Sequence, residues 1–259
     1  MKKAEIEKNI VVHFREQEYF RRKELLEFYK VFEPELNNRT FGWRVFELKK
    51  KKIIRSVGRG IYTTNYKPEY KPQIDEKLRK INNVINRSFA IIDKNFNPKD
   101  YLSVWTTVWL NRFVNHQIFF PIRIIEIEAD TLTGYYYKLI DEGFKNVYIE
   151  SDFKKMDRYA FEGKDCIVLR KMVKRAPYQI INKINIPRIE KILVDLFCDN
   201  KLFYFVQGKE LENIYRNAIK KYSVDFSKLL NYSERRKRQK DIKDFLLKFI
   251  SEELRELLL

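Results

Sequence analysis
The sequence predicts an α+β fold in two parts: a small helical module closed by a hairpin, then a mixed α/β domain that ends in a helical bundle. Three observations predict it. Residues 39–64, RTFGWRVFELKKKKIIRSVGRGIYTT, read as one helix running directly into a tight two-stranded hairpin. A short stretch with prolines at 68 and 72 then interrupts the pattern. Beyond it, strands and helices alternate until Pro187, after which the periodicity is helical to the end. These readings place a winged helix-turn-helix domain at residues 1–66, a linker at 67–72 and a mixed α/β domain at 73–259.

Taken in order, residues 2–13 form a short helix with Ala4, Ile6, Ile10 and Val11 on its apolar side. Tyr19 to Phe32 form a second helix, with Leu25, Leu26, Tyr29 and Phe32 facing inward. Pro34 cannot extend that helix and restricts the residue before it, so Glu33 to Asn38 make a turn. The next helix has Thr40 as its expected N-cap. Phe41, Val45 and Leu48 recur at spacings of four and three, which puts them on one face. Lys49 to Lys52 close it, where cations suit the negative end of the helix dipole. Ile53 to Val57 and Ile61 to Thr64 have strand composition, and Gly58-Arg59-Gly60 supplies the loop between them.

In the second part, Ile74 to Phe89 read as a helix with Ile74, Leu78, Ile81, Val84, Ile85 and Phe89 near one face. Strands are expected at Leu102–Trp105, Pro121–Glu128, Val147–Glu150 and Cys166–Leu169, and helices at Thr107–His116 and Leu132–Phe144. The closing helices are expected at about 187–199, 207–221, 225–239 and 240–258.

Charge points to the partner. The chain has 259 residues and a formal net charge of +17, which favours a polyanion, nucleic acid above all. The excess is concentrated: residues 39–59 hold eight cations against Glu47 alone. A helix followed by a hairpin tipped with Arg59 is how a winged module meets duplex DNA, the helix in the major groove and the wing on the neighbouring backbone. The candidate DNA-binding residues are therefore Arg39, Thr40, Trp43, Arg44, Glu47, Lys50, Lys51, Lys52, Arg55 and Arg59. Trp43, Glu47 and Lys50 point away from the core stripe, and Arg44 lies beside it. Lys51, Lys52, Arg55 and Arg59 are placed to hold phosphates, giving affinity without sequence information. A second basic run, Arg235, Arg236, Lys237, Arg238 and Lys240, is a further candidate patch on a C-terminal helix.

Other chemistries find little support. Two histidines, His13 and His116, lie far in sequence from the two cysteines, so no zinc spacing exists and no metal or cofactor is expected. Gly58 and Gly60 join two strands and are no nucleotide loop. Glu126 and Glu128 share a strand face, and Glu150 and Asp152 close another strand, an arrangement that invites a metal-dependent nuclease. The lysine that such an enzyme places two residues on is missing from both strands. A nuclease of a defence system and an RNA-binding adaptor stay as rival readings, and non-enzymatic DNA binding is the main one. Cys166 and Cys198 are expected as reduced thiols, and no apolar run approaches a membrane span, so a cytoplasmic protein is expected.

Several segments together resemble the AbiEi-type antitoxin regulators of abortive-infection (type IV toxin–antitoxin) systems. They are Val57 to Tyr62 (VGRGIY), Val104 to Asn111 (VWTTVWLN), His116-Gln117, Ile186 to Leu196 (IPRIEKILVDL) and Leu230 to Arg236 (LNYSERR). The resemblance implies a winged-helix repressor acting on its own promoter. It also implies a C-terminal domain that counteracts a nucleotidyltransferase-like toxin without forming a stable complex with it. Within the fourth segment, Glu190, Lys191 and Asp195 are spaced for an intrahelical ion network with a structural role.

Overall fold
The computed structural model describes residues 3–92, 101–119, 121–153, 165–248 and 255. The fold is mixed α+β, with small sheets and several helices. It divides into two compact units: residues 1–69 with 219–259, and residues 70–218.

The first unit begins with α1 (Lys3–His13), β1 (Phe20–Arg21), α2 (Arg22–Phe32) and α3 (Asn38–Lys50). The hairpin β2 (Arg55–Gly58) and β3 (Ile61–Thr63) follows. The sheet order is β1-β3-β2, with Phe20 and Ser56 both opposite Tyr62. One apolar core holds these pieces: Ile6, Ile10, Phe14, Phe20, Leu25, Phe28, Phe41, Val45, Leu48, Ile54 and Tyr62 are all buried. Phe14 and Phe20 stack at 4.0 Å inside it.

The second helix starts three residues later than expected. Phe20 and Arg21 leave the helical pattern to pair with β3, a long-range ladder that local periodicity does not show. Asn37, not Thr40, caps α3: the Thr40 N–H donates to Asn37 Oδ1 at 2.9 Å. Helix α3 ends at Lys50, and Lys52 turns the chain with φ +60°. Ile53 and Ile54 are spent on that turn, so β2 begins only at Arg55.

Two further helices complete this unit, although the expected boundaries assigned them to the second domain. They lie at Phe226–Arg235 and Gln239–Leu247 and are packed together. The first packs on β2, an edge strand of the small sheet. Its buried residues, Phe226, Leu229, Leu230 and Tyr232, supply the apolar face. The basic run expected on a single helix straddles the turn between these two: Arg235 ends the first helix, Arg236 to Arg238 turn the chain with Lys237 at φ +56°, and Lys240 lies in the second. The remainder of the helix expected over 240–258 lies outside the described residues, apart from Lys248 and Arg255. The prolines at 68 and 72 do keep the chain extended, yet the segment is tied down: the Ser223 N–H donates to Pro68 O at 2.9 Å.

The second unit is built on a four-stranded sheet of β4 (Leu102–Thr106), β5 (Ile122–Ile127), β6 (Val147–Ile149) and β7 (Cys166–Lys171), in the order β4-β5-β7-β6. β4 runs antiparallel to β5, and the other pairs are parallel. Every residue of β4 and β5 is buried, as expected of strands covered on both faces. α4 (Glu76–Ile92), α5 (Leu132–Asp141), the short α6 (Glu150–Phe153), α7 (Ile189–Cys198) and α8 (Lys209–Lys221) accompany it. Thr107 to Arg112 form a 3-10 turn in place of the longer helix expected there, with Thr106 capping it through the Val108 N–H.

A hairpin, β8 (Tyr178–Ile181) with β9 (Ile184–Pro187), lies where no strands were expected. Its two-residue loop needs positive φ at both positions, and Asn182 and Lys183 adopt +50° and +65°. The absence of glycine hides this turn in the sequence. Among the described residues, no helix is long and apolar enough to cross a membrane.

Candidate nucleic-acid interface
The exposed side of α3 follows from its buried side. With Phe41, Val45 and Leu48 fully inside, the opposite stripe carries Arg39, Trp43, Phe46 and Lys50 at helical spacing, all exposed. Trp43 is 63% exposed, and its ring stacks parallel on Phe46 at 5.3 Å. Thr40 is also exposed at the start of the helix, and Glu47 is half-buried on its flank. Among the described residues, Arg39, Lys49, Lys50, Lys52 and Arg59 have no acidic partner. Cations without an acidic partner therefore share this helix and hairpin with the aromatic pair, Glu47 being the acid on α3.

The structure separates nine of the ten expected DNA-binding residues into two groups, half-buried Glu47 standing apart. Arg39, Thr40, Trp43, Lys50, Lys52 and Arg59 present accessible side chains. Arg44, Lys51 and Arg55 are already engaged. Arg44 donates to both carboxylate oxygens of Glu33, at 3.2 and 3.4 Å, and so ties α3 to the turn that precedes it. Lys51 pairs with Glu7 at 2.7 Å, a contact that fastens the end of α3 to α1. Arg55 donates to Lys67 O at 2.7 Å and lies over the Tyr66 ring. Arg44→Ala is accordingly expected to lower stability by about 1 kcal/mol, read from thermal unfolding. Unchanged stability with a selective loss of duplex preference would return Arg44 to the groove.

Arg22 is the residue that sequence reading passed over. Its N–H donates to Gly60 O at 2.7 Å, and its guanidinium lies 4.7 Å from the Phe41 ring centroid. It thus links the hairpin loop to the start of α2 and to α3. Gly60 itself needs its glycine, with φ +75°. Its position before β3 was readable; the partner Arg22, 38 positions earlier in the chain, was not.

In the second unit, two of the carboxylates that suggested a nuclease, Glu126 and Glu150, are held in ion pairs, while Glu128 is half-buried and Asp152 exposed. Glu126 is fully buried and pairs with Lys191 Nζ at 2.6 Å, while Tyr178 OH donates to its other oxygen at 3.2 Å. Lys191 also pairs with Asp195 on the same helix, and both are fully buried. The lysine missing from the strands thus arrives from α7, in a place closed to a large substrate. Glu150 opens α6 instead of ending a strand, and it pairs with buried Arg170 at 3.3 Å, beside an Arg170–Asp199 contact of 2.8 Å. Burial raises the Glu126 carboxyl above its ordinary range, Lys191 pulls it down, and Asp195 raises it again. Glu190, expected in the same network as Lys191, lies instead 3.6 Å from Arg188. Among the described residues, no group of three or more histidine, cysteine or carboxylate side chains is arranged to hold a metal ion.

No curated protein matches the chain. Residues 40–252, from the start of α3 through the C-terminal helices, match a family described as Family of unknown function (DUF6577), and the chain belongs to that family.

Proposed function
We propose that this protein binds duplex DNA through a winged helix-turn-helix made of α1, α2, α3 and the β2–β3 hairpin, and that it represses its own promoter. One observation carries the reading: α3 exposes an aromatic pair bordered by unpaired cations, directly before a hairpin whose tip holds exposed Arg59. The element order supports it too. A short strand between the first two helices pairs with the hairpin's second strand, which ties the hairpin to the start of α2. In this reading Arg39, Thr40, Trp43, Glu47 and Lys50 meet base edges and nearby phosphates, and Lys52 and Arg59 hold the flanking backbone.

The biological setting we propose is that of an AbiEi-type antitoxin regulator, with a nucleotidyltransferase-like toxin as functional partner. The motif set from VGRGIY to LNYSERR supports it, and the buried Lys191–Asp195 pair gives IPRIEKILVDL a structural role within that set. The complete burial of Glu126 supports a non-catalytic second unit over a nuclease.

The test compares a duplex taken from directly upstream of the protein's own coding sequence with a scrambled duplex of equal length. Roughly a thousandfold tighter binding to the upstream duplex at moderate salt is expected. Arg39→Ala with Lys50→Ala should remove most of that preference. Equal affinity for the two duplexes would overturn the proposal.

A further inference from the structure
A polar groove runs beside the hairpin, within the first unit. Lys49 from the end of α3, Arg59 from the hairpin tip and Lys243 from the last described helix line it. Ser227 and Asn231, on the helix Phe226–Arg235, add neutral polar groups to the same lining. Asp225 is the acid among these residues, and it is occupied: its carboxylate accepts from the Lys228 N–H at 3.1 Å and pairs with Lys228 Nζ at 3.0 Å. Three cations from three separate elements therefore face one groove whose acid is already neutralised.

We propose that this groove holds the sugar-phosphate backbone of duplex DNA flanking the segment read by α3. The inference rests on the DNA-binding reading and extends it to Lys243, a residue outside the basic run. The chemistry suits a phosphodiester chain. Lysine and arginine supply point charges, while serine hydroxyls and asparagine amides donate to phosphate oxygens without reading bases. Lys49 belongs both to α3 and to the groove, so the groove adjoins the helix proposed to read the duplex. The groove lining also differs from the patch suggested by the basic run. It uses Lys243, beyond that run, and none of Arg235, Arg236, Lys237, Arg238 or Lys240.

The test uses the full chain, the upstream duplex and its scrambled counterpart, with affinities measured by fluorescence anisotropy over a range of KCl concentrations. Lys243→Ala is expected to weaken binding to both duplexes by the same factor, roughly five- to tenfold near 0.1 M salt. The slope of log affinity against log salt should shrink by about 0.9, the signature of one lost phosphate contact. Lys243→Arg should restore the slope. Should Lys243→Ala shift the thermal midpoint, Lys243→Gln, which keeps most of the stem, takes its place. An unchanged slope in Lys243→Ala, alongside a lost preference in the Arg39→Ala/Lys50→Ala variant, would overturn the groove and leave the α3 reading standing. Failure of the unaltered protein to bind either duplex would overturn both. Single-stranded RNA that displaces the duplex from the unaltered protein but not from Lys243→Ala would also overturn the groove's assignment to duplex backbone.

Discussion

Replacing Lys191 with methionine is expected to destabilise the second unit by about 3–5 kcal/mol. Methionine nearly preserves the volume but removes the ammonium group that two buried carboxylates share. Glu126 and Asp195 would then face each other with no cation between them, at positions that water does not reach. The loss is asymmetric, because an intact buried pair adds little net stability while a broken one leaves an uncompensated charge. Urea unfolding followed by tryptophan fluorescence reports on it, since Trp105 is fully buried in this unit against Phe203.

The deficit should also depend on pH with a definite sign. Burial already raises the Glu126 carboxyl, and Lys191 is the main influence pulling it down, with Arg170 adding to that pull. Without Lys191 the folded variant takes up a proton on Glu126 at a higher pH than its unfolded chain does. Between the ordinary carboxylate value and the raised one, the folded state binds more protons. Stability therefore falls as pH rises through that window. The gap between variant and unaltered protein should be smaller near pH 5 than near pH 8. An equal gap at both would overturn this account of the network.

The second large effect concerns recognition. Trp43→Ala is expected to weaken binding to the upstream duplex about 30-fold, near 2 kcal/mol, as loss of a contact aromatic does at an interface. Binding to the scrambled duplex should change little. The fold should be unaffected within about 0.5 kcal/mol, because the indole is largely exposed and stacks on Phe46. In the major groove, the apolar group available to such an aromatic pair is the thymine methyl. Uracil in place of thymine should therefore lower the affinity of the unaltered protein and leave Trp43→Ala nearly indifferent. Equal losses on both duplexes would make Trp43 a general packing residue and not a reader.

Much of the exposed face of α3 was legible in the residues themselves. The Phe41, Val45 and Leu48 stripe follows from helical period, and once it is buried, Trp43 and Lys50 must face outward. The pairing of Lys191 with Asp195 was legible for the same reason, being one turn apart. The pairing of Arg44 was not legible because its partner lies across a turn: Glu33 closes on it only when α2 and α3 pack together. The contacts of Lys51 and Arg55 were hidden likewise, their partners Glu7 and Lys67 coming from elsewhere in the unit.

Local periodicity and composition, by themselves, determined the mixed α+β class, the core-facing stripe of α3, the hairpin behind it and the concentration of positive charge there. These depend on neighbours within one or two turns, so the chain declares them directly. Tertiary structure alone decided which cations are spent on holding the fold and which are left accessible. It also decided that Lys191 reaches Glu126 and that residues 219–259 group with the first 69. Such outcomes join residues tens to hundreds of positions apart, and no spacing rule carries them. They are settled when buried charges must find counter-ions and apolar helix faces must find cover, which happens only as the whole unit closes.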